Sequence, residues 1–216
     1  MIILASDPCG RWFPILASDR CSGRWLFFLH GGMIMDRYAV FIDGGYARKV
    51  LKQFNSPRIS YLKFSDHVAG NQERLRTYYY DCAPYVSSPP TQEEKTRKGK
   101  FDSFAAALEL KSRFQVKLGR LAKRGEFPDG SPRFEQKMVD ILLAVDLVQL
   151  AVDHQIQRAV IFASDSDFVP AIQTARNAGT VVELYYHIPP RPNDELMKAC
   201  DDRIPIDQAL IDSITR

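Results

Sequence analysis

The most constraining feature of the sequence is a pair of apolar, β-rich runs that each lead into aspartate. Tyr38–Ile42 is followed by Asp43, and Ala159–Ala163 is followed by Ser164 and Asp165. A short, nearly continuous apolar run is typical of a strand buried on both faces, as in a parallel sheet. Each run is followed by a predicted helix, so the chain is expected to contain β–α units.

The remaining pattern extends this alternation. Further strands are predicted at 75–80, 114–121 and 181–186, and helices at 46–54, 60–68, 93–112, 136–154, a stretch ending near 177, 193–200 and 205–213. Residues 124–134 are predicted to form a Gly/Pro loop. The helix at 136–154 is apolar almost all round, so it is predicted to be buried. Strands alternating with helices indicate an α/β sandwich with a mainly parallel sheet.

Aspartates follow two of these strands, at the edge where parallel sheets bind their ligands. They are Asp43 after the first strand, and Asp165 with Asp167 after the later one. Leaving a carboxylate at the end of a buried strand is costly unless something pairs with it. For Asp167 alone, capping of the next helix is an equally good interpretation.

A further carboxylate, Asp140, lies among apolar residues of the helix predicted at 136–154. It needs a partner, and two candidates stay open: a divalent cation, or Lys137, which lies three residues earlier on the same face. Asp146 falls on a different face of that helix and is a supporting candidate. A site built from carboxylates without His or Cys favours Mg²⁺ or Mn²⁺. A water bound to such an ion could attack a phosphodiester.

Charge is unevenly distributed along the chain. Residues 91–137 hold 12 basic and 7 acidic side chains, whereas residues 138–216 hold 6 basic and 12 acidic ones. A basic middle beside an acidic end suits a protein that handles polyanions through bound cations, although a solvated surface would have the same composition. The predicted RNA-binding residues are Lys95, Arg97, Lys98, Lys100, Arg120, Lys123 and Arg124.

Residues 1–36 look foreign to the rest of the chain. The run Ile3–Asp7 recurs as Ile15–Asp19, and two copies of so short a unit do not make a repeat fold. We interpret the segment as an atypical extension, disordered or non-native, before a domain at 37–216. A signal peptide is a weaker alternative, because the apolar stretch Trp25–Leu29 is short.

The four cysteines show no metal-binding spacing and indicate a reducing compartment, so we expect the protein to be cytoplasmic. No apolar run approaches the ~20 residues of a membrane-spanning helix.

Three motifs together resemble the NYN domain, a branch of the PIN-like nucleases that includes the LabA-like (DUF88) bacterial proteins. They are Val40-Phe41-Ile42-Asp43-Gly44-Gly45-Tyr46, then Lys137-Met138-Val139-Asp140 with Asp146, then Ser164-Asp165-Ser166-Asp167-Phe168. The order and approximate spacing agree with the family. The resemblance covers roughly residues 37–212.

The resemblance implies a three-layer α/β/α, Rossmann-like PIN fold with a mainly parallel five-stranded sheet. It also implies a Mg²⁺- or Mn²⁺-dependent ribonuclease, whose acids map onto Asp43, Asp140, Asp165 and Asp167. Lys137, Asp146, Ser164 and Tyr46 are the supporting residues. Many relatives carry Asn at the position of Tyr46, and Gly at the positions of Met138 and Ser164.

Several functions are therefore weighed. The first is a metal-dependent endoribonuclease acting on single-stranded or structured RNA. The second is a catalytically silent RNA-binding or regulatory module on the same fold. A haloacid-dehalogenase-type phosphatase ranks lower, because Asp43 is followed by Gly44-Gly45 rather than by a second acid two residues on. Dinucleotide binding ranks lowest, because no G-x-G-x-x-G follows the first strand. The sequence leaves open whether the chain forms a homo-oligomer.

Overall fold

The computed structural model describes residues 2–6, 12–16, 36–126 and 132–216. The chain divides into two compact units, Met1–Met35 and Asp36–Arg216. In the first unit, strand β1 (Ile2–Ser6) pairs antiparallel with β2 (Trp12–Leu16). The interpretation of residues 1–36 as a disordered or non-native extension stays a prediction.

The second unit is built on one sheet with the strand order β6-β5-β4-β3-β7-β8-β9. Its strands are β3 (Arg37–Asp43), β4 (Glu73–Cys82), β5 (Phe114–Glu126), β6 (Pro132–Lys137), β7 (Arg158–Phe162), β8 (Val181–Tyr186) and β9 (Asp202–Pro205). All neighbouring pairs are parallel except β5 with β6.

The prediction of a five-stranded sheet is therefore wrong in number: six parallel strands carry an antiparallel seventh at one edge. The sixth strand, β9, is four residues long and mostly exposed, so it lacks the apolar run that marks a buried strand. The seventh, β6, replaces part of the loop predicted at 124–134. Its pairing with β5 is a contact between neighbouring strands that no apolar run announces.

Helices cover both faces of this sheet, which confirms the α/β fold. They are α1 (Gly44–Gln53), α2 (Tyr61–His67), α3 (Gln92–Glu109), α4 (Val139–Val152), α5 (Val169–Asn177), α6 (Asp194–Ala199) and α7 (Gln208–Ile214). Among the helices in the described ranges, none has both the length and the apolar character needed to cross a membrane.

The central strand β3 explains why the core has two halves. Ala39 and Phe41 join a cluster with α4, α5 and α6, whereas Tyr38, Val40 and Ile42 join a cluster with α1, α2 and α7. Successive side chains of a strand point to opposite faces, so both faces must be apolar when both are covered. Along β3, charged side chains therefore lie only at the two ends of the strand, at Arg37 and Asp43.

Helix α4 differs from its prediction in two ways. It begins at Val139 rather than near residue 136, because residues 132–137 pair with β5 and Met138 adopts a left-handed φ of 75°. Glycine adopts that conformation without strain, whereas a residue with a side chain seldom does. The helix is also not buried all round: Ile141 and Val145 are 63% and 55% exposed.

Leu147 and Val145 provide a matched test of this packing. Leu147→Ala should lower the free energy of unfolding by about 2–5 kcal/mol, because the fully buried side chain would leave a cavity. Val145→Ala, on the exposed face of the same helix, should change it by less than about 0.5 kcal/mol. Urea unfolding followed by circular dichroism measures both. Equal losses for the two variants would contradict the described orientation of α4.

Candidate functional site

Three carboxylates from separate parts of the chain line one cleft at the carboxyl edge of the sheet. Asp43 ends β3, Asp165 follows the neighbouring parallel strand β7, and Asp140 lies in the first turn of α4. The cleft has a volume of about 400 Å³. Its described lining residues are Asp43, Gly45, Tyr46, Arg48, Lys49, Lys52, Asp140 and Asp165.

Asp43 is held by the helix that follows it. Its Oδ1 accepts a hydrogen bond of 3.1 Å from the backbone N–H of Tyr46, so it caps α1. Burial raises the pKa of Asp43, while the N–H groups of Tyr46 and Gly45 act to lower it. The negative charge of Asp140 adds to the increase, so these two carboxylates lie within electrostatic reach of each other.

Asp140 shares this environment with the acids that follow β7. Burial raises the pKa of Asp140, and the negative charges of Asp165 and Asp167 raise it further. Asp140 therefore lies within electrostatic reach of Asp43 as well as of Asp165 and Asp167. A bound cation would relieve the repulsion among them.

The loop after β7 assigns different positions to its two aspartates. Asp165 Oδ1 accepts a 3.0 Å hydrogen bond from the backbone N–H of Asp167 and caps a short 3₁₀ helix, Ser166–Phe168. The cap is therefore Asp165 and not Asp167. Asp167 is exposed, and it is not among the described residues that line the cleft.

The donor chemistry of this cluster fits a hard divalent cation, since every candidate ligand is a carboxylate oxygen. The geometry is more open. Across the described ranges, no three His, Cys, Asp or Glu side chains are gathered closely enough to hold a metal ion. The acids lie near one cleft and repel one another electrostatically, but they do not form a closed coordination shell.

The supporting residues have separate roles. The hydroxyl of Tyr46 accepts a 3.0 Å hydrogen bond from the backbone N–H of His187, which joins α1 to the chain after β8. Ser164 is half-buried between β7 and the 3₁₀ helix. The side chain of Lys137 lies outside the described part of the chain, as do those of Lys123 and Arg124, so its proposed pairing with Asp140 stays a prediction.

Asp146 is tied to the sheet instead of the cleft. Its Oδ2 accepts a 2.7 Å hydrogen bond from Tyr80 Oη, and its Oδ1 pairs with Lys117 Nζ at 2.6 Å. Both of its oxygens therefore have partners on β4 and β5. This contact anchors α4, the helix that carries Asp140.

The basic residues in the cleft are not the ones that the sequence indicated. Arg48, Lys49 and Lys52 of α1 line it. The predicted RNA-binding residues Lys95, Arg97, Lys98 and Lys100 lie on α3, and Arg120 lies on β5; none of these is among the described lining residues. Two of them have local partners, since Lys98 pairs with Asp102 at 2.6 Å and Arg97 donates to the carbonyl of Tyr85 at 3.0 Å.

One acid that sequence reasoning missed pairs with a residue of the cleft wall. Asp81, near the end of β4, is 1% exposed and forms a two-point ion pair with Arg48. Its local signal was only an aspartate next to a strand of three tyrosines. For the basic residues of the cleft, the available signal was that Arg48 follows Asp43 by five residues, on the first predicted helix.

The family follows from a match that covers most of the chain. Residues 37–207 match the family model described as the NYN domain. The chain belongs to the NYN domain family. The match does not separate the LabA-like branch from the rest of the family, so that assignment stays a prediction.

The NYN fold of this chain also has a solved structural neighbour. It is a protein of unknown function from Vibrio parahaemolyticus RIMD 2210633, with a TM-score of 0.56 and 16% sequence identity. The alignment covers 86% of this chain and 99% of that one. At this identity the likeness concerns the fold alone. No curated protein matches the sequence significantly.

The raised pKa of Asp43 predicts a stability change with a definite sign. Because its folded-state pKa exceeds the ordinary value of 3.8, the native state holds more protons than the unfolded state between those two values. Stability contributed by this group therefore falls as the pH rises through that interval, and the cost persists at neutral pH. Asp43→Asn keeps a capping oxygen and removes the charge.

In EDTA at neutral pH, Asp43→Asn should therefore unfold at a higher temperature than the wild type. The difference should shrink as the pH falls toward 3.8. Thermal unfolding across this pH range measures it, with Asp202→Asn on the exposed strand β9 as the charge-matched control. A less stable Asp43→Asn protein at neutral pH would contradict the electrostatic cost assigned to Asp43.

Gly44 is a position where α1 packs tightly against β4. A Cβ atom there would lie 2.5 Å from Tyr79 Oη and 2.7 Å from Asp81 Oδ2. Gly44→Ala should therefore destabilise the fold by about 1–3 kcal/mol, as overpacking does. Gly99→Ala is the control, because a Cβ in α3 meets nothing within 4 Å and should stabilise the helix by about 0.5–1 kcal/mol. Urea unfolding distinguishes the two signs.

Proposed function

We propose that this NYN domain is a divalent-metal-dependent ribonuclease that hydrolyses RNA phosphodiester bonds. The observation that carries the proposal is the convergence of Asp43, Asp140 and Asp165 in one cleft that is also lined by basic side chains. Acids alone would repel a phosphate, and bases alone would not hold a cation. A cleft with both suits a reaction at a phosphodiester. Membership of the NYN family supports a nuclease.

Asp43, Asp140, Asp165 and Asp167 are the residues that would hold the ion, and Mg²⁺ and Mn²⁺ are the ions that such oxygen donors prefer. When bound, the ion supplies an activated water and neutralises charge that develops on the phosphate. Family resemblance implies products with 5′-phosphate and 3′-hydroxyl ends. We also assign RNA contacts to the basic residues of α3 and β5, outside the cleft, and a cytoplasmic location.

The protein's own residues have clear parts in this proposal. The N–H groups at the start of α1 orient Asp43, and Asp165 is fixed by its capping bond to Asp167. Asp146 holds α4 to β4 and β5, which fixes the position of Asp140. Asp43 and Asp165 are thus positioned directly, and Asp140 through its helix, by contacts that do not depend on the ion.

A second candidate function is the catalytically silent RNA-binding module. The observation that favours it is the open arrangement of the acids, since no three ligating side chains are gathered within the described residues. Such a module would keep the basic surface and bind RNA without cutting it.

Cleavage of a labelled single-stranded RNA, with Mn²⁺, Mg²⁺ or EDTA, tests the proposal. We expect cleavage with either ion and none in EDTA. Asp43→Asn should lower the rate more than about 100-fold, because loss of a direct ligand should exceed the 10–100-fold effect of outer partners. Asp202→Asn is the control and should cleave as the wild type does. Salt-sensitive binding without cleavage would favour the silent module. If the protein neither bound nor cleaved RNA, both functions would be contradicted.

A further inference from the structure

Helix α1 carries basic side chains into the same cleft as the acids, and they are of two kinds. Arg48 is held by a buried partner, whereas Lys49 and Lys52 are exposed. Neither lysine forms an ion pair with any residue of the described ranges. We call these three residues the α1 cation set. They were not predicted as RNA-binding residues.

The carboxylate that holds Arg48 is saturated with donors. Asp81 Oδ1 accepts from Arg48 Nη2 at 2.9 Å and from the backbone N–H of Cys82 at 2.7 Å, while Oδ2 accepts from Arg48 Nη1 and from Tyr79 Oη, the latter at 3.3 Å. A two-point contact fixes the plane of a guanidinium group. Arg48 is therefore held in one orientation at the wall of the cleft.

The surroundings of this pair leave it little freedom. Tyr79 is hydrogen-bonded to Asp81, its ring packs against that of Tyr61, and both rings pack against Phe104 of α3. Gly44 leaves room for the tyrosine and the carboxylate where any larger residue would collide. Arg48 still keeps 47% of its side chain exposed and lines the cleft, so it can contact a ligand there.

The position of the pair connects it to the acids. Asp43 is paired with Tyr80 across β3 and β4, so Asp81 lies one residue beyond Asp43 at the same edge. Arg48 thus lies between a fully buried carboxylate and the cleft that holds the candidate metal ligands.

We propose that the α1 cation set is the phosphate-binding surface for a single-stranded RNA that enters the acid cleft. Arg48 is a pre-oriented group for the phosphate nearest the acids, and Lys49 with Lys52 bind neighbouring phosphates as flexible point charges. A cleft of about 400 Å³ holds one or two nucleotides and not the breadth of a double helix. The inference rests on the proposed function only in taking RNA as the ligand.

Binding in EDTA tests the lysines without any cleavage. The probe is a fluorescein-labelled single-stranded RNA, and the observable is its anisotropy over a series of salt concentrations. Lys49→Ala/Lys52→Ala should weaken binding and reduce the slope of log K against log salt by about 1.4, since each single-strand phosphate contact contributes about 0.7. Lys198→Ala, on α6, is the control and should leave the slope unchanged. The variant Lys95→Ala/Lys98→Ala measures the contribution of the predicted surface on α3, for comparison with that of α1.

The kinetic test of Arg48 uses two variants. One replaces the guanidinium group, and the other alters the carboxylate that orients it. Arg48→Lys keeps the charge, and Asp81→Asn keeps the shape of the partner while removing its charge. Both should lower kcat several-fold, because the phosphate is bound but misoriented, while KM and the salt slope stay near the wild-type values. Because a loss of folded protein also lowers the apparent kcat at unchanged KM, kcat is expressed per RNA-binding site, with the sites counted by anisotropy titration in EDTA. A merely structural role would leave this normalised kcat at the wild-type value. If either variant fails to fold, the double lysine variant still tests the surface.

The outcomes separate this inference from the proposed function. A reduced salt slope in the double lysine variant, with no cleavage by the wild type, would support the α1 surface and contradict the nuclease. Normal cleavage with an unchanged slope in that variant would overturn the α1 surface and leave the nuclease intact. A loss confined to Lys95→Ala/Lys98→Ala, or equal affinity for a duplex, would also overturn it.

Discussion

The burial of the sheet on both faces is the constraint from which the rest of the structure follows. Tyr38, Val40 and Ile42 pack to one side of β3, and Ala39 and Phe41 to the other, so this strand has no wet face. Polar chemistry must then appear where the strands stop. Since the six parallel strands end at one edge, the side chains that follow them are brought to that edge from positions far apart in the chain.

Placing several acids at that edge is electrostatically unfavourable. The protein accommodates these acids in two different ways. Asp81 is fully buried but compensated by Arg48, Tyr79 and a backbone N–H. Asp43 and Asp140 are only partly buried, and they lack a cationic partner in the described structure, so their pKa values are raised. A buried charge that is paired stabilises local geometry. Unpaired acids in a cleft store an unfavourable energy that a ligand can release, as functional sites often do.

Local patterns were sufficient for five strands of the main sheet and for the aspartates that follow two of them. The runs before Asp43 and Asp165 are strongly apolar, so β3 and β7 and their common edge could be predicted. β9 and β6 could not, because the first is short and exposed and the second is defined by its pairing with β5. The sequence also could not show which face of α4 is exposed, because the apolar residues of this helix continue all round. The Arg48–Asp81 ion pair could not be predicted for another reason: no local pattern indicates which side chain either residue will contact.

The sequence by itself determined the class of fold and the edge of the sheet at which Asp43 and Asp165 lie. These follow from periodicity and from the position of aspartates after apolar runs, which are properties of short segments. Only the tertiary structure decided that Asp146 anchors α4 through Tyr80 and Lys117, and that α1 rather than α3 supplies the bases in the cleft. Those outcomes depend on how helices are rotated and seated on the sheet, and that is set by packing among residues distant in sequence.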